Sequence, residues 1–298
     1  MRSVWSFWTK PYTWHYRSRW LSDRQHLLAW VLSVETARKH YPETALYTDD
    51  EGAAMLVEGL GLRFDHVSLE LNALKKQNPR WWSLGKTYTY RLQRAPFIHL
   101  DNDVFLWKPL PPALERAGVI AQNPEYFADG VFFYRPEAVD YVIKGINDGW
   151  LPREWEWYRA FGRRQRGDCC GILGGNAVEF IAHYAEQSIR MVEHPHNRSA
   201  WTLFDTNLNR NVHVEQYLLS ACIEYHRSRA KSPFHNVEIG YLFNSSSAAY
   251  NPENSEHGMH VAGIAAGNRD TPYGSGAQKR DLSGVAPAAY IGNYKILT

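Results

Sequence analysis

Short apolar runs alternate with longer amphipathic segments along the first hundred residues of the chain. The short runs have the length of buried strands, and they occupy residues 3–8, 45–47, 64–67 and 97–100. The segments between them place apolar residues near helical spacing, and they occupy residues 21–40, 51–59 and 84–94. This alternation predicts an α/β fold, in which a mostly parallel sheet is flanked by helices.

The strand predicted at 97–100 ends in an acidic triplet, Asp101-Asn102-Asp103. Residues i and i+2 of a strand point to the same side, so Asp101 and Asp103 are predicted to face one ligand together. Two carboxylates at this spacing suit Mg²⁺ or Mn²⁺, ions that commonly bind substrate phosphates as well. Ligands of open α/β sheets lie beyond the carboxyl ends of the strands, which makes this triplet the main candidate site.

The sequence around the triplet resembles a known class of enzymes. Residues 81–112 are WWSLGKTYTYRLQRAPFIHLDNDVFLWKPLPP, a basic helix followed by a strand, the acidic pair and a proline-rich segment. This resembles the nucleotide-sugar glycosyltransferases of the GT-A type and, more narrowly, a bacterial family of glycosyltransferase-like proteins, which residues 4–11 and 46–52 also resemble. The resemblance covers about residues 1–245. It implies a GT-A-like domain that binds Mn²⁺ or Mg²⁺ and a nucleotide-sugar donor, and that transfers the sugar to an unknown acceptor.

Polar residues near other predicted strand ends are candidates for binding the donor. Asp49 or Asp50 would accept a hydrogen bond from a ribose hydroxyl, or would instead cap the helix that follows. Lys86 and Arg91 would neutralise diphosphate charge, or would instead lie on a solvated helix face. Asn102, between the two acids, is assigned to the same donor site.

A glycine-containing stretch, Gly171 to Asn176, resembles the acceptor-side segment that follows the acidic strand in these transferases. Gly174, Gly175 and Asn176 are therefore predicted to let a sugar approach the backbone closely. The alternative is that the two glycines simply form a strand-to-helix turn.

The resemblance also implies a further metal ligand from a C-terminal histidine, and His213 is our candidate. An inverting transferase requires a carboxylate base near the acceptor, and the candidates are Asp129, Asp168 and Glu215. A retaining transferase has no such requirement, and both mechanisms stay open.

Composition narrows the class of protein. The 298 residues suffice for one large core or two modest ones, and the formal net charge of +2 gives no electrostatic footprint for nucleic acid. No apolar run approaches the roughly 18 residues of a membrane span, and no apolar segment near the N-terminus is typical of a signal peptide. The three cysteines, Cys169, Cys170 and Cys222, do not form a disulfide framework, so we expect a cytoplasmic protein with free thiols.

The last fifty or so residues resemble a different family. After a small polar stretch at 244–249, residues 256–268 (EHGMHVAGIAAGN) and 282–297 (LSGVAPAAYIGNYKIL) resemble the catalytic-histidine region of subtilisin-type serine proteases, with His257 at the general-base position. That mechanism also needs a serine nucleophile and an orienting aspartate, and residues 1–298 contain neither family motif. We therefore predict a transferase-like domain at 1–245 and an inactive, incomplete subtilase-like segment at 250–298. We expect this segment to be poorly ordered or loosely docked.

Three classes of function follow from these patterns. The first is a metal-dependent glycosyltransferase, and the second is a protein of the same fold that binds a nucleotide or sugar without turnover. The third, a minor alternative, is a serine endopeptidase completed by a partner chain that supplies the serine and the aspartate.

Overall fold

A computed structural model describes residues 1–15, 17, 20, 22–127, 134–146, 149–160, 164–203, 210–243, 271–273 and 280–282. The chain divides into two compact units, Met1–Leu242 and Phe243–Thr298. In the described part of the second unit, residues Thr271–Tyr273 pair antiparallel with Arg280–Leu282. The first unit contains the whole main sheet and every helix described below.

The described residues of the first unit form nine strands. They are β1 (Arg2–Phe7), β2 (Thr44–Thr48), β3 (His66–Ser68), β4 (Phe97–Leu100), β5 (Val119–Ala121), β6 (Pro124–Tyr126), β7 (Arg166–Asp168), β8 (Ile172–Gly175) and β9 (Ile239–Tyr241). Seven of them form one sheet in the order β3-β2-β1-β4-β8-β5-β9, while β6 and β7 form a separate antiparallel pair. Within the large sheet, β8 is antiparallel to both of its neighbours and all other pairings are parallel. The predicted α/β fold with a mostly parallel sheet is confirmed.

Helices connect the strands. They are α1 (Thr9–Trp14), α2 (Asp23–Arg38), α3 (Asp50–Ala53), α4 (Ser83–Leu92), α5 (Pro112–Glu115), α6 (Pro136–Lys144), α7 (Arg153–Ala160), α8 (Val178–Glu193), α9 (Asn197–Leu203), α10 (Arg210–Val212) and α11 (Leu218–Arg227). A π-helix, Ala54–Gly59, continues α3, a 3₁₀ helix covers Glu70–Lys76, and a π-helical turn, His213–Tyr217, joins α10 to α11. No helix in the described ranges is long and apolar enough to cross a membrane.

Hydrophobic residues cover both faces of the sheet because successive side chains of a strand point to opposite sides. Val4 of β1 and Phe97 of β4 belong to one buried cluster, which also contains apolar residues of α4, α8 and α11. Their neighbours Trp5 and Ile98 belong to a second buried cluster, which contains Trp30, Val34 and Ala37 of α2. A sheet buried on both faces explains why apolar residues occupy consecutive positions in its central strands, as Val4-Trp5 and Phe97-Ile98 do.

Local signals in the sequence determine where α2 begins. The side chain of Ser22 accepts a hydrogen bond from the backbone N–H of Gln25, which caps the helix, and Asp23 in the first turn complements the helix dipole. Arg38 in the last turn has the charge that suits the opposite end. Helix α2 therefore begins within two residues of the predicted start at residue 21.

Candidate functional site

The acidic triplet follows the carboxyl end of β4, in the middle of the sheet. Strand β4 ends at Leu100, and the backbone N–H of Val104 donates to the carbonyl of Asp101 at 3.0 Å. A hydrogen bond between residues i and i+3 closes a turn. Asp101 and Asp103 therefore lie in a turn after β4, which corrects the prediction that they are residues i and i+2 of a strand. Aspartate is common in such turns because its carboxylate can satisfy nearby backbone groups. Asp101 is half-buried at the base of the turn, whereas Asp103 is exposed.

Lys86 of α4 extends toward Asp101 and forms the centre of the candidate site. Its Nζ atom lies 3.0 Å from each carboxylate oxygen of Asp101, 3.1 Å from Oε1 of Glu215 and 3.1 Å from the carbonyl oxygen of Cys170. The ring of Trp82, one helical turn before Lys86, lies 5.6 Å from the ammonium. The structure thus brings together three residues that the sequence suggested separately: Lys86, Asp101 and Glu215.

Burial of this ion cluster changes the acidity of its members. Burial raises the pKa of Asp101 to about 7, Lys86 opposes the rise, and the negative charges of Asp103 and Glu215 add to it. Burial also raises the pKa of Glu215, again against the influence of Lys86. For Lys86, burial lowers the pKa, but Asp101 and Glu215 together outweigh burial, so the pKa rises and the ammonium stays charged.

Several buried polar atoms around Lys86 lack a hydrogen bond of good geometry. They are both carboxylate oxygens of Glu215, the hydroxyl of Tyr90 and the Nδ1 atom of His99. Glu215 still has its ion pair with Lys86, and the Tyr90 hydroxyl lies near enough to favour the ionised form and so to lower the pKa of Glu215. Buried polar groups are rarely left without partners, so this concentration of them is what a ligand site would show.

His99 lies two residues before Asp101 on β4 and stays neutral. Burial and the nearby Lys86 hold its pKa well below the ordinary value, and its Nε2 atom lies 2.9 Å from the hydroxyl of Ser6 on β1. Tyr90 lies four residues after Lys86, hence on the same face of α4, and its ring contacts that of His99 edge to face. Sequence reasoning missed Tyr90 and His99, although their spacing from Lys86 and Asp101 was a usable signal.

Gly171, immediately before β8, lies close to the side chain of Gln122 and hydrogen-bonds to the backbone of Asp101. A Cβ atom on Gly171 would lie 2.2 Å from Oε1 of Gln122 and 3.9 Å from Oδ2 of Asp101. The backbone N–H of Asp101 donates to the carbonyl of Gly171 at 3.0 Å. A side chain at this position would therefore displace the side-chain amide of Gln122, whereas its contact with the carboxylate of Asp101 would be an ordinary van der Waals contact.

The other residues of the glycine-containing stretch, Gly174, Gly175 and Asn176, lie at the end of β8 that is far from Asp101. Because β8 is antiparallel to β4, Gly175 pairs with Phe97, and Phe97 precedes Asp101 by four residues, or about 13 Å along a strand. Gly174, Gly175 and Asn176 therefore do not belong to the candidate site around Asp101. The alternative, a strand-to-helix turn, describes them better, because Gly175 has a φ of 130° and its Cβ would lie 2.2 Å from the carbonyl oxygen of Gly118.

The acidic pair after β2 caps a helix. Oδ1 of Asp49 accepts from the backbone N–H of Gly52, and Oδ2 accepts from both the backbone N–H and the hydroxyl of Thr9. Asp50 is exposed and forms an ion pair with Lys75 at 2.9 Å. Asp49 therefore caps α3 and Asp50 lies in the first turn of this helix, as the capping alternative predicts.

Arg91 and Asn102 have different surroundings. Arg91 forms an ion pair with Glu186 of α8 at 3.2 Å and packs over the ring of Tyr88, as expected of the solvated-face alternative. Asn102 stays beside the candidate site, since it lies in the turn after Asp101, and its buried Nδ2 atom has no hydrogen-bond acceptor.

Of the remaining predicted metal ligand and candidate bases, only Glu215 lies in the ion cluster among the residues that the structure describes. His213 is fully buried, and its Nε2 atom accepts from the backbone N–H of Arg135 at 2.7 Å, a bond that metal binding through this nitrogen would break. Asp168 accepts hydrogen bonds from Arg166, Ser220 and Tyr241, which commits both of its oxygens. Asp129 and His257 lie outside the described residues. Glu215 is thus the candidate base that the structure places in the ion cluster with Lys86 and Asp101.

Comparison with known sequences assigns the chain to a protein family. No curated protein sequence shows significant similarity to the chain. A family described as "Family of unknown function (DUF6734)" matches residues 1–271. The matched range includes Lys86, Asp101 and Glu215, and it continues past the predicted junction near residue 245 to include His257. The match covers most of the chain, and the protein therefore belongs to the DUF6734 family, whose function is unknown.

Proposed function

We propose that this protein is a metal-dependent glycosyltransferase that moves a sugar from a nucleotide-sugar donor to an acceptor hydroxyl. The observation that carries the proposal is the buried cluster of Lys86, Asp101 and Glu215 at the carboxyl end of β4. Strand β4 lies next to β1, and the chain continues from β1 toward β2 and β3 on the other side. Ligands of open α/β sheets bind at such a switch in strand order, which supports a donor site there.

The charges of this cluster fit a divalent cation. Asp101, Asp103 and Glu215 carry three negative charges when ionised, and Lys86 neutralises one of them. The raised pKa of Asp101 reflects this excess of negative charge together with burial. Asp101 and Asp103 would hold Mn²⁺ or Mg²⁺, hard cations that prefer carboxylate oxygens. When bound, such an ion stabilises the negative charge that develops on the leaving diphosphate.

Residues of the chain itself supply the remaining requirements. The ammonium of Lys86 is a fixed positive charge at the strand end, where it favours an anionic diphosphate and keeps Asp101 in place. Glu215, with its raised pKa, is the candidate to accept the proton of an acceptor hydroxyl in an inverting reaction. The neutral ring of His99 adds no positive charge to compete with Lys86 for the carboxylates.

A panel of nucleoside diphosphates tests the proposal. Thermal unfolding is measured with UDP, GDP, CDP and ADP, with and without Mn²⁺, and release of the diphosphate from the matching nucleotide-sugar is then followed. A ligand that binds only the folded state at a hundred times its dissociation constant stabilises by about 2.7 kcal/mol. We expect a Mn²⁺-dependent stabilisation by one diphosphate, together with turnover of its sugar derivative.

Two variants of exposed aspartates make the test specific. Asp103→Asn removes a proposed metal ligand from an exposed turn, and Asp50→Asn removes an exposed aspartate that pairs with Lys75. We expect Asp103→Asn to abolish the Mn²⁺-dependent shift and Asp50→Asn to keep it. If no diphosphate stabilises the unmodified protein under either condition, the glycosyltransferase proposal is wrong.

One observation favours the non-catalytic alternative. Nζ of Lys86 lies 3.0 Å from both oxygens of Asp101, so the lysine already occupies the position where a cation would bind them. A protein of this kind would bind a nucleotide or a sugar through Lys86 and would not turn it over. The same experiment separates the two functions, because this alternative predicts stabilisation that is independent of Mn²⁺ and no release of diphosphate.

A further inference from the structure

Three helices bring a carboxylate and two imidazoles together at a second position in the first unit. Glu154 of α7, His183 of α8 and His226 of α11 offer ligand atoms that all lie within 4.8 Å of one another. The Nε2 atom of His183 is 3.0 Å from Oε1 of Glu154, the Nε2 atom of His226 is 3.5 Å from the same oxygen, and the two Nε2 atoms are 3.3 Å apart. The three residues are far apart in sequence and form no recognisable motif.

These three distances match the edges of a zinc coordination tetrahedron. Zinc binds imidazole nitrogen and carboxylate oxygen at about 2.0–2.1 Å, and ligand atoms on a tetrahedron of that radius are about 3.3 Å apart. The observed separations of 3.0, 3.3 and 3.5 Å scatter around this value, so an ion above the triangle would reach all three atoms. Two histidines and one glutamate are also a donor set that zinc uses in proteins.

The surroundings orient the ligands as they do in metal sites. Nδ1 of His226 lies 2.7 Å from the hydroxyl of Ser232, which holds the ring so that Nε2 faces Glu154. The ring of Phe234 packs against both imidazoles. Glu154 and His226 are buried, while His183 keeps 27 % of its side-chain surface exposed, which leaves a path for an ion from solvent.

The arrangement is less favourable without a cation. If both imidazoles donate their Nε2 protons to Glu154, two N–H groups face each other at 3.3 Å, and neither nitrogen can accept from the other. An ion takes the place of both protons and is attracted by the carboxylate.

We propose that Glu154, His183 and His226 bind one Zn²⁺ ion, with a fourth position open to a water molecule on the side of His183. The ion joins α7, α8 and α11. This site is separate from the Lys86 cluster, because His226 follows Glu215 by eleven residues, or about 16 Å along a helix. The proposal therefore does not depend on the proposed glycosyltransferase function.

Metal content and titration of the full chain test the zinc site. The protein is purified without a metal-affinity step, stripped with a chelator, and titrated with ZnCl₂ by calorimetry. We expect one Zn²⁺ per chain in the unmodified protein. Glu154→Gln keeps a neutral hydrogen-bond acceptor but loses the charge, and His183→Ala loses a ligand, so each should weaken binding at least tenfold.

Two control variants separate this site from other metal binding. His66→Ala removes an exposed histidine of the edge strand β3, and Asp50→Asn removes an exposed aspartate that pairs with Lys75. Both should bind zinc like the unmodified chain. Equal zinc affinity in the unmodified protein, Glu154→Gln and His183→Ala would overturn the proposal, as would the absence of stoichiometric binding.

Cobalt provides a readout that needs no variant, should the substitutions prevent folding. Co²⁺ in a tetrahedral site of nitrogen and oxygen ligands gives intense visible absorption without the thiolate charge-transfer band that cysteine ligands produce. We expect this spectrum at one equivalent of Co²⁺, and its disappearance when Zn²⁺ is added. A weak octahedral spectrum or a thiolate band would overturn the assignment to these three residues.

Discussion

The ammonium of Lys86 is buried between Asp101 and Glu215, and the state of each residue depends on the other two. A buried ion pair contributes little net stability, because desolvation of the charges offsets their attraction. Removal of one partner is costly, since an uncompensated charge stays behind in a poorly solvated position. The cluster is therefore poorly explained by net stabilisation alone, and two substitutions test its electrostatics at the scale of single residues.

Lys86→Met is expected to destabilise the protein by about 3–5 kcal/mol above pH 7, because it leaves two carboxylates without their cation. In this variant the pKa values of Asp101 and Glu215 rise further above those of the unfolded chain. Stability is then lost as the pH rises, so the deficit should be smaller at pH 5, where the carboxylates bind protons. Urea unfolding at both pH values measures the effect.

The control for Lys86→Met is Lys75→Met, which removes an exposed lysine that pairs with Asp50 and should leave stability nearly unchanged, because solvent screens this pair. The double variant Lys86→Met/Glu215→Gln should recover part of the loss, because one of the two stranded charges is gone. A pH-independent loss in Lys86→Met would contradict the electrostatic explanation and would point to packing alone.

Asp101→Asn is expected to stabilise the ligand-free protein at pH 8 while it removes a proposed metal ligand. The pKa of Asp101 is about 7 in the folded protein against roughly 3.9 in the unfolded chain, so ionisation of Asp101 costs stability as the pH rises from about 4 to 7. Asparagine stays neutral and avoids that cost. The side chain keeps 32 % of its surface exposed, and solvent screening reduces the expected gain to about 1 kcal/mol.

Denaturant unfolding of Asp101→Asn across pH 4 to 8 provides the measurement. The difference from the unmodified protein should be near zero at pH 4 and should reach its full value above pH 7. Asp50→Asn serves as the control, because that exposed carboxylate has a lowered pKa, caused first by its hydrogen bond from Asn72, and its replacement should give no gain. A loss of stability in Asp101→Asn at pH 8 would mean that the pairing with Lys86 outweighs burial.

At the scale of elements, regular secondary structure followed from the sequence more readily than strand direction did. Residues 3–8 and 97–100 were predicted as strands, and β1 and β4 lie there within a residue or two, because a buried strand is marked by apolar residues alone. The same apolar run suits a parallel or an antiparallel neighbour, so the sequence of β8 does not reveal that it runs opposite to β4. The sequence therefore did not indicate that Gly174 and Gly175 lie at the end of β8 away from Asp101.

Contacts between side chains that are far apart in the sequence could not be predicted either. Lys86 and Glu215 were each predicted as site residues, but their contact spans more than a hundred residues, and a single sequence carries no signal for such a pairing. The zinc cluster of Glu154, His183 and His226 shows the same limit, since its members lie on three helices without fixed spacing. Short-range relations such as the cap at Asp49 could be anticipated, because the capping partner lies three residues away.

Gly175→Ala tests the structural role of the glycine pair in β8. Gly175 has a φ of 130°, and a Cβ there would lie 2.2 Å from the carbonyl oxygen of Gly118, so we expect a loss of at least about 2 kcal/mol from strain and collision together. Gly61→Ala is the matched control, since Gly61 also has a positive φ, of 71°, but a Cβ there meets nothing within 4 Å. Gly61→Ala should cost about 1 kcal/mol.

Thermal and urea unfolding compare the two glycine variants directly, and the difference between them isolates the collision with Gly118. Donor binding, measured as a nucleotide-induced shift, should be unchanged in Gly175→Ala, because Gly175 lies at the sheet edge opposite to Asp101. A Gly175→Ala variant that is stable but loses donor binding would instead restore the acceptor-side function suggested by the sequence.

At the scale of the whole molecule, the compact unit and the family match end at different residues. The composition and the two resemblances predicted a transferase-like domain that ends near residue 245, and the first compact unit is Met1–Leu242. The family match, however, continues to residue 271, well inside the segment that resembles a subtilase. The range of a family match and the range of a compact folding unit need not coincide, because a family can retain residues that lie outside the unit that folds cooperatively.

Truncation decides which boundary describes the folding unit. All twelve tryptophans lie within the first 201 residues, so tryptophan fluorescence reports unfolding of the first unit alone, whatever follows it. If the unit ends near residue 245, chains that end at 245 and at 271 should both unfold at the urea midpoint of the full chain. If the family range is the folding unit, the chain ending at 271 should match the full chain, and the shorter chain should be less stable by more than about 1 kcal/mol.

The m-value of the same urea transitions gives an independent check, because it scales with the surface exposed on unfolding. The chain ending at 245 should have a smaller m-value than the chain ending at 271 only if residues 246–271 belong to the cooperative unit. Equal midpoints and m-values in all three chains would support the sequence-based boundary, and would mean that the transferase-like unit folds without the subtilase-like segment.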